Sequence, residues 1–466
     1  MSVLPPLPLD DAALALLRSR VRGRVVAPGD AGWAEASTPW NVAVHQSPAA
    51  VVEVADVTDV EEVVRWAAEH GRTVSAQPRG HGATPAVDGT ILLRTGALHE
   101  IAVDAEGRRA RVGAGVRWGE LLPALDGTGL VALAGSNPDV TVVGYHLGGG
   151  LSWFGRRHGY AVHSLLGAEV VDASGHLRWV TDESDPDLMW ALRGGGGDLA
   201  VVTSVEIALH PHPTLVGGKV MFPIGDARAV LRAFLAVTRT APRELTLWAS
   251  LMHFPPVEFL PEPIRGKSFV TVDATYLGDP AVAAELLDPI RAAGTVVSDT
   301  VAPIPVGRLG EVAAEPTDPT PGIDGSELLA RLDEDVLDRI LAVAGDGSRT
   351  ALVSVQIRHL GGALPDGETG PAGAAAAGIP EPYLLWALGI AMDPGLVEPI
   401  RASLAAVLEA PGDAATGRTV LTLLAPGEPL TRVFDGPTLA RLGALKVARD
   451  PEGIFRGNHP LPLAGS

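Results

Sequence analysis

The chain of 466 residues predicts an α+β fold in two parts. Three observations point to it. A strand–helix–strand unit over Ala50 to Gln77 delivers the chain to the loop Gln77-Pro78-Arg79-Gly80-His81-Gly82-Ala83-Thr84. Three glycine clusters, each next to a strand, occupy the stretch before Pro211. From about Leu215 the character changes to strands alternating with amphipathic helices.

In order, Asp10 to Arg22 reads as a short amphipathic helix, and Trp40-Asn41 as a loop before the first strand, Ala50 to Val54. Thr58 with Glu61 three residues on forms a capping box for the next helix. Val60, Val63, Val64 and Ala67 recur at helical spacing, and Gly71 supplies the stop. A strand over Arg72 to Gln77 enters the glycine loop, and another, Thr90 to Leu93, follows Asp88-Gly89. Short strands at Ile101 to Val103 and Ala110 to Val112 precede a helix over Arg117 to Leu125. Gly135-Ser136-Asn137-Pro138 is a turn, and Leu147-Gly148-Gly149-Gly150 is the second glycine cluster. Each glycine there costs roughly 0.5–1 kcal/mol relative to Ala within a regular element. Close approach of a flat or charged ligand compensates such a cost; a hinge is the alternative. After a strand over Gly167 to Val171, Asp185 caps a helix with Pro186 at its first position. That helix ends in Arg193-Gly194-Gly195-Gly196-Gly197, and Val201 to Ile207 is a β-rich strand.

The bulk numbers narrow the function. A net charge of -19 argues against nucleic acid or an anionic membrane as partner. With no cysteine, disulfides and thiolate chemistry are excluded. No apolar run approaches the roughly 20 residues of a membrane helix. Met1 to Pro6 has no basic start and soon reaches Asp10-Asp11, unlike a signal peptide. The expected location is therefore the cytoplasm, unless a native leader has been removed. Few Lys among many Ala, Gly, Pro, Val and Arg suggests a bacterial source.

The glycine loop carries the chemistry. Gly80 and Gly82 let backbone N–H groups approach an anion. His81 between them is a nucleophile able to bond a cofactor; a surface turn with an incidental histidine is the plain alternative. A Rossmann site does not fit, because Pro85 replaces the third glycine and the loop opens no helix. No Walker loop or His-Glu-x-x-His pattern occurs.

Four stretches together resemble the vanillyl-alcohol-oxidase, or p-cresol-methylhydroxylase (PCMH)-type, FAD flavoproteins, and more narrowly their berberine-bridge-enzyme-like group. They are Gly80-His81-Gly82; Leu147-Gly148-Gly149-Gly150 with Gly159; Trp190 to Gly197 with Val201-Val202-Thr203; and Asp450-Pro451 with Phe455-Arg456-Gly457-Asn458. The resemblance implies a two-part PCMH-type FAD-binding domain, residues 1–213 and 418–466, and an antiparallel-sheet substrate domain, 214–417, backed by helices. It implies that FAD is held by Pro78, Arg79, Gly80, His81, Gly82, Ala83, Gly135, Ser136, Val140, Gly144, Gly148, Gly149, Gly150, Val201, Val202 and Asn458. It also implies an 8α-N-histidyl bond through His81. A second, cysteinyl bond found in some relatives has no counterpart, since its position is Asn137. The arginine that often precedes the glycines is Gln77 here, or is displaced to Arg79. Thr438 to Arg449 lacks the tyrosines that serve many relatives, so the usual base is absent or comes from elsewhere.

In the second part, strands are expected at Lys219 to Phe222, Leu245 to His253, Phe269 to Tyr276, Ala351 to His359 and Tyr383 to Met392. Helices are expected at Asp226 to Thr238, Ala281 to Ala292, Ser326 to Leu341 and Pro394 to Leu408. Leu309 to Asp324 reads as a loop, and Gly361 to Pro382 as a mobile loop or lid. Alternation puts Ser354, Gln356 and Arg358 on one face, and Trp248, Ser250 and Met252 on one face of theirs. Gln356, Arg358 and Trp248 are the expected substrate contacts; a salt-bridged sheet face is the alternative for the first two. His253 and His359 fall on apolar faces, and His210 and His212 read as structural. Tyr145, His146 and Arg358 are the candidates for catalysis.

The function expected is an FAD-dependent oxidoreductase of secondary metabolism. A small organic substrate gives hydride to the flavin, and O₂ or another acceptor reoxidises it. A non-redox cyclase or isomerase on the same fold, and a small-molecule binding protein, are the alternatives. Fold alone does not license the reaction.

Overall fold

The computed structural model describes residues 9–258, 260–366 and 371–462. Met1 to Pro8, the stretch read as unlike a signal peptide, lies outside the described residues. Three of the sheets position the site.

The first has the strand order Arg24–Val26, Ala50–Glu53, Ile91–Arg94, Val74–Ala76. The last three strands are parallel, with Ile91–Arg94 inserted between the two strands of the strand–helix–strand unit. Val51, Val52, Leu92 and Leu93 have no exposed surface, as expected of a parallel sheet covered on both faces. The helix Val57–Glu69 covers one face with Val60, Val63, Val64, Trp66 and Ala67. Two expectations change here. Arg24–Val26 is a strand antiparallel to Ala50–Glu53, so the latter is not the first. Asp56, not Thr58, caps the helix: its extended backbone lets the carboxylate accept from Asp59 N–H at 3.2 Å.

The second sheet is antiparallel, in the order Ile101–Asp104, Arg109–Gly113, Val201–Ala208, Leu165–Val171, Leu177–Thr181. Its core side packs with the first sheet's helix and with the helix Pro186–Leu192, capped by Asp185 with Pro186 at its first turn.

The third sheet runs Ser298–Asp299, Leu215–Pro223, Ser268–Leu277, Leu245–His253, Ser354–His359, Tyr383–Ile390, Gly322–Leu329, all antiparallel. Helices Ala227–Thr238, Pro280–Arg291, Glu334–Ala344 and Val397–Glu409 share one apolar core with it. Val272, Ala249, Val355 and Ile357 point into that core. By the two-residue period, Asp273, Ser250, Gln356 and Arg358 point the other way. The helix expected over Ser326 to Leu341 is two elements. Gly322–Leu329 completes the sheet edge beside Tyr383–Ile390, and the helix starts only after Asp333, which caps it. The leucines at helical spacing suit both readings. The buried Ser326 hydroxyl, which meets Thr419 and the Leu423 carbonyl, belongs to the strand.

The expected lid over Gly361 to Pro382 is packed where it is described. Leu364, Ala375, Ala376 and Ile379 are buried, and Ala375 and Ala376 donate to the carbonyls of Trp190 and Arg193 at 2.9 and 3.0 Å. Residues 367–370 lie outside the described residues.

After Thr416 the chain returns to the first sheet. Val74 N–H donates to Ile454 O at 2.6 Å and Arg456 N–H to Val74 O at 2.9 Å. Lys446, 3% exposed, ties this return with hydrogen bonds to Asp450, Asp198 O and Phe455 O.

Candidate functional site

The inner face of the third sheet and the glycine loops of the first two enclose a cavity of about 1420 Å³. Single-ligand pockets run to roughly 300–1,000 Å³, so there is room for a large cofactor and a substrate together. Backbone bonds close one seam: Trp40 N–H donates to Arg79 O at 2.8 Å and Asn41 N–H to Gly80 O at 3.2 Å. Asn41 Nδ2 then reaches Gly322 O at 3.0 Å, tying the glycine loop to the edge of the third sheet.

On the loop side, Pro78, Arg79, Gly80, His81, Gly82, Gly135, Ser136, Val140, Gly144, Gly148 and Asn458 stand on the cavity wall, joined by Gly195, Gly196 and Gly197. Ala83, Gly149, Gly150, Val201 and Val202 do not. Gly149 and Gly150 have φ of +106° and +79°. A Cβ on the first would overlap the Tyr160 hydroxyl, and on the second the Tyr145 ring. Their small size serves the packing of two tyrosines rather than a ligand's approach. Val201 and Val202 are buried in their strand opposite Val171 and Val170. At Gly82 and Gly197 the space is open instead: a Cβ would meet only Asn458 Nδ2 at 3.6 Å, or nothing within 4 Å.

The His81 ring stacks on Trp40 with centroids 4.0 Å apart. Its Nε2 lies 3.3 Å from Asp139 Oδ2. Asp139 also takes Arg79 Nη2 at 2.6 Å and Arg117 Nη1 at 3.0 Å. Burial pushes this carboxyl up, but the bonds from His81, Arg79 and Arg117 outweigh it and bring it down to about 2. Asn137 donates to Pro316 O at 2.9 Å and accepts from Asp139 N–H at 2.8 Å.

On the sheet side, Gln356 and Arg358 are on the wall. Arg358 Nε donates to Gln356 Oε1 at 2.6 Å, and Gln356 Nε2 to Ser250 Oγ at 3.1 Å. The guanidinium lies over the Trp248 ring at 3.9 Å. Burial lowers its pKa to about 10, so it remains a cation near neutrality. Trp248 is not on the wall; it lies behind Arg358 and stacks on Trp153 at 3.6 Å. Of the other catalytic candidates, Tyr145 faces the cavity, whereas His146 does not. His146 is wholly buried, with Nδ1 2.8 Å from Val142 O, and burial lowers its pKa to about 4.

Sequence reasoning passed over Asp139, Lys219, Asp273 and Asp324. Asp273 Oδ1 lies 3.5 Å from Lys219 Nζ, and burial raises its pKa to about 6 despite that cation. Asp324 accepts from Trp386 Nε1 at 3.0 Å, and burial raises its pKa too. A signal existed for Asp273: an acid inside the apolar run Phe269 to Tyr276. Asp139, in an unremarkable turn, had none.

The wall fits a large polar cofactor. Gln77 Nε2, Tyr145 Oη, Thr271 Oγ1, Asp273 Oδ1 and Asn458 Oδ1 are buried there without hydrogen-bond partners. Orphaned polar atoms are rare unless a ligand or water meets them. With the open glycine surface beside them, they suit a flat ring system with carbonyl and amide edges.

Comparison with known proteins agrees. Residues 48–181 match the family described as FAD binding domain. (R)-6-hydroxynicotine oxidase of Paenarthrobacter nicotinovorans is 30% identical over 292 residues, 60% of this chain and 61% of that protein. Xylooligosaccharide oxidase of Thermothelomyces thermophilus is 33% identical over 196 residues, 41% of this chain and 39% of that protein. The chain thus spans less than two thirds of either curated relative. The crystal structure of 6-hydroxy-D-nicotine oxidase from Arthrobacter nicotinovorans superposes with a TM-score of 0.81 at 25% identity, over 95% of this chain and 98% of that one. In fold, in the matched FAD-binding segment and in the cavity they form, the chain is similar to the PCMH/vanillyl-alcohol-oxidase-type flavoproteins.

Proposed function

We propose that this chain is an FAD-dependent oxidoreductase of bacterial secondary metabolism. FAD is tethered once, through His81, and a small organic substrate is oxidised between the flavin and the third sheet. The observation that carries this reading is the shared enclosure of about 1420 Å³, with His81 on one wall and Arg358 and Asp273 on the other. We place the domain boundaries at 213/214 and 417/418, with residues 418–466 completing the FAD-binding part. A cytoplasmic location fits the chain's chemistry, and among the described residues no helix is long and apolar enough to cross a membrane.

Gln77, the backbone around Gly82 and Gly195 to Gly197, Tyr145 and Asn458 would hold FAD. When bound, it supplies a two-electron acceptor for a C–H bond beside oxygen or nitrogen. Arg358, held flat by Trp248 and Gln356, orients a polar group of the substrate. Asp273 takes the substrate's proton: it stands on the wall with Lys219 Nζ 3.5 Å from its Oδ1, and a pKa of about 6 leaves it ionised yet basic at neutral pH. Lys219 beside it limits how far burial raises that value. Trp386 and Leu388 give this wall an apolar patch beside Arg358 and Asp273.

The purified chain should be yellow, with fluorescence that survives denaturing electrophoresis and is lost in His81→Ala. Anaerobic addition of a substrate should bleach it, and air should restore the colour. 6-Hydroxynicotine and xylooligosaccharides, named by the relatives, are the first compounds to try. A colourless chain that stays so after incubation with FAD refutes the reading. Colour without bleaching by any candidate favours a non-redox role.

A further inference from the structure

We propose that Asp139 is the positioning residue for covalent attachment of the flavin: it fixes the His81 tautomer so that Nδ1 is the attacking atom. This rests on the tether proposed above.

The geometry makes the assignment. An ionised carboxylate only accepts hydrogen bonds. Asp139 Oδ2, 3.3 Å from His81 Nε2, therefore holds the ring's proton on Nε2. The lone pair is left on Nδ1, for which no hydrogen-bond partner is present among the described residues. Trp40, stacked at 4.0 Å, stops the ring from turning over. Arg79 and Arg117 pin the two carboxylate oxygens, so Asp139 stays charged and oriented although its side chain is only 4% exposed. A buried carboxylate behind a histidine nucleophile also stabilises the positive charge that grows on the ring as the new bond forms.

A bond forms between His81 Nδ1 and the 8α carbon, and one C–H bond of that methyl group breaks. Its proton leaves to solvent, and its electron pair passes into the isoalloxazine. Nε2 then gives up its proton, leaving a neutral substituted imidazole. Dioxygen, the required oxidant, takes the two electrons and two protons as hydrogen peroxide.

Wild type, Asp139→Asn and Asp139→Glu are purified as full chains and incubated aerobically with FAD. Flavin per chain is measured before and after denaturation, and the flavin-bearing peptide of the wild type is isolated to identify the bonded nitrogen. The expected result is bonding through Nδ1 in the wild type. In Asp139→Asn, FAD is bound but released by denaturant, with attachment at least about tenfold slower; Asp139→Glu recovers much of the rate. Bonding through Nε2, or equal attachment rates in wild type and Asp139→Asn, overturns the role of Asp139 while the tether stands. Wild type that binds FAD with no covalent bond overturns the tether itself. Should Asp139→Asn fail to fold, the bonded nitrogen in the wild type and the rate in Asp139→Glu still decide.

Discussion

Replacing Asp273 by Asn should stabilise the protein at neutral pH, and the size follows from its surroundings. The carboxyl sits in the middle of the third sheet, 2% exposed, with Lys219 Nζ 3.5 Å from its Oδ1. Burial lifts its pKa from 3.8 to about 6. Between those values the folded chain holds a proton that the unfolded chain has released, so stability falls as pH rises through that window. At about 1.4 kcal/mol per pH unit, the loss comes to roughly 3 kcal/mol, complete above about pH 6. The Asn variant escapes that loss. Lys219, which keeps a bond to Ala313 O, already holds that shift down, so its attraction is contained in the figure. The expectation is roughly 3 kcal/mol more stable than wild type at pH 8, with no advantage near pH 4. Urea unfolding of both proteins at the two pH values, at matched flavin content, reads this directly. A variant less stable than wild type at pH 8, or a difference that does not change with pH, refutes the reasoning. Gain in stability with loss of substrate bleaching is the pattern expected of an acid kept for chemistry.

Other perturbations separate the fold from the cofactor cradle. Gly197→Ala adds a Cβ that meets nothing within 4 Å, so the melting temperature of flavin-free protein should hold while FAD binding, measured by fluorescence quenching, weakens about tenfold or more. Gly149→Ala should do the reverse: φ of +106° and the overlap with Tyr160 should lower the melting temperature and the yield of folded protein with or without FAD. Lys446→Met leaves Asp450 buried without its cation, held only by the Ile454 and Phe455 backbone N–H groups. It should cost about 3–5 kcal/mol and expose the segment after Asp450 to protease, read by urea unfolding and limited proteolysis.

What the sequence made legible divides along a physical line. Strands and helices with a strong period were readable: Leu245–His253 and the Asp185-capped helix stand where the residues put them. Ser326 to Leu341 was not, because Leu328, Leu329, Leu332 and Leu337 satisfy a helical spacing and a strand-then-helix equally well. Only pairing with Tyr383–Ile390, about 60 residues away, decides between them. Glycines were readable as close approaches but not as approaches to what. Gly148, Gly149 and Gly150 look alike in sequence, yet Gly148 borders the cavity while the other two yield to tyrosines. Charges were hardest. Arg358 and Gln356 announced themselves by alternation along one strand. Asp273 faces them only because strands Ser268–Leu277 and Ser354–His359 flank Leu245–His253, pairing Trp248 with Asp273 on one side and with Arg358 on the other. An alternating pattern gives the face a residue occupies; which charges meet across that face is fixed by strand order, which no local window carries. The same holds for Asp139, an ordinary turn residue whose meaning comes from His81, 58 positions earlier.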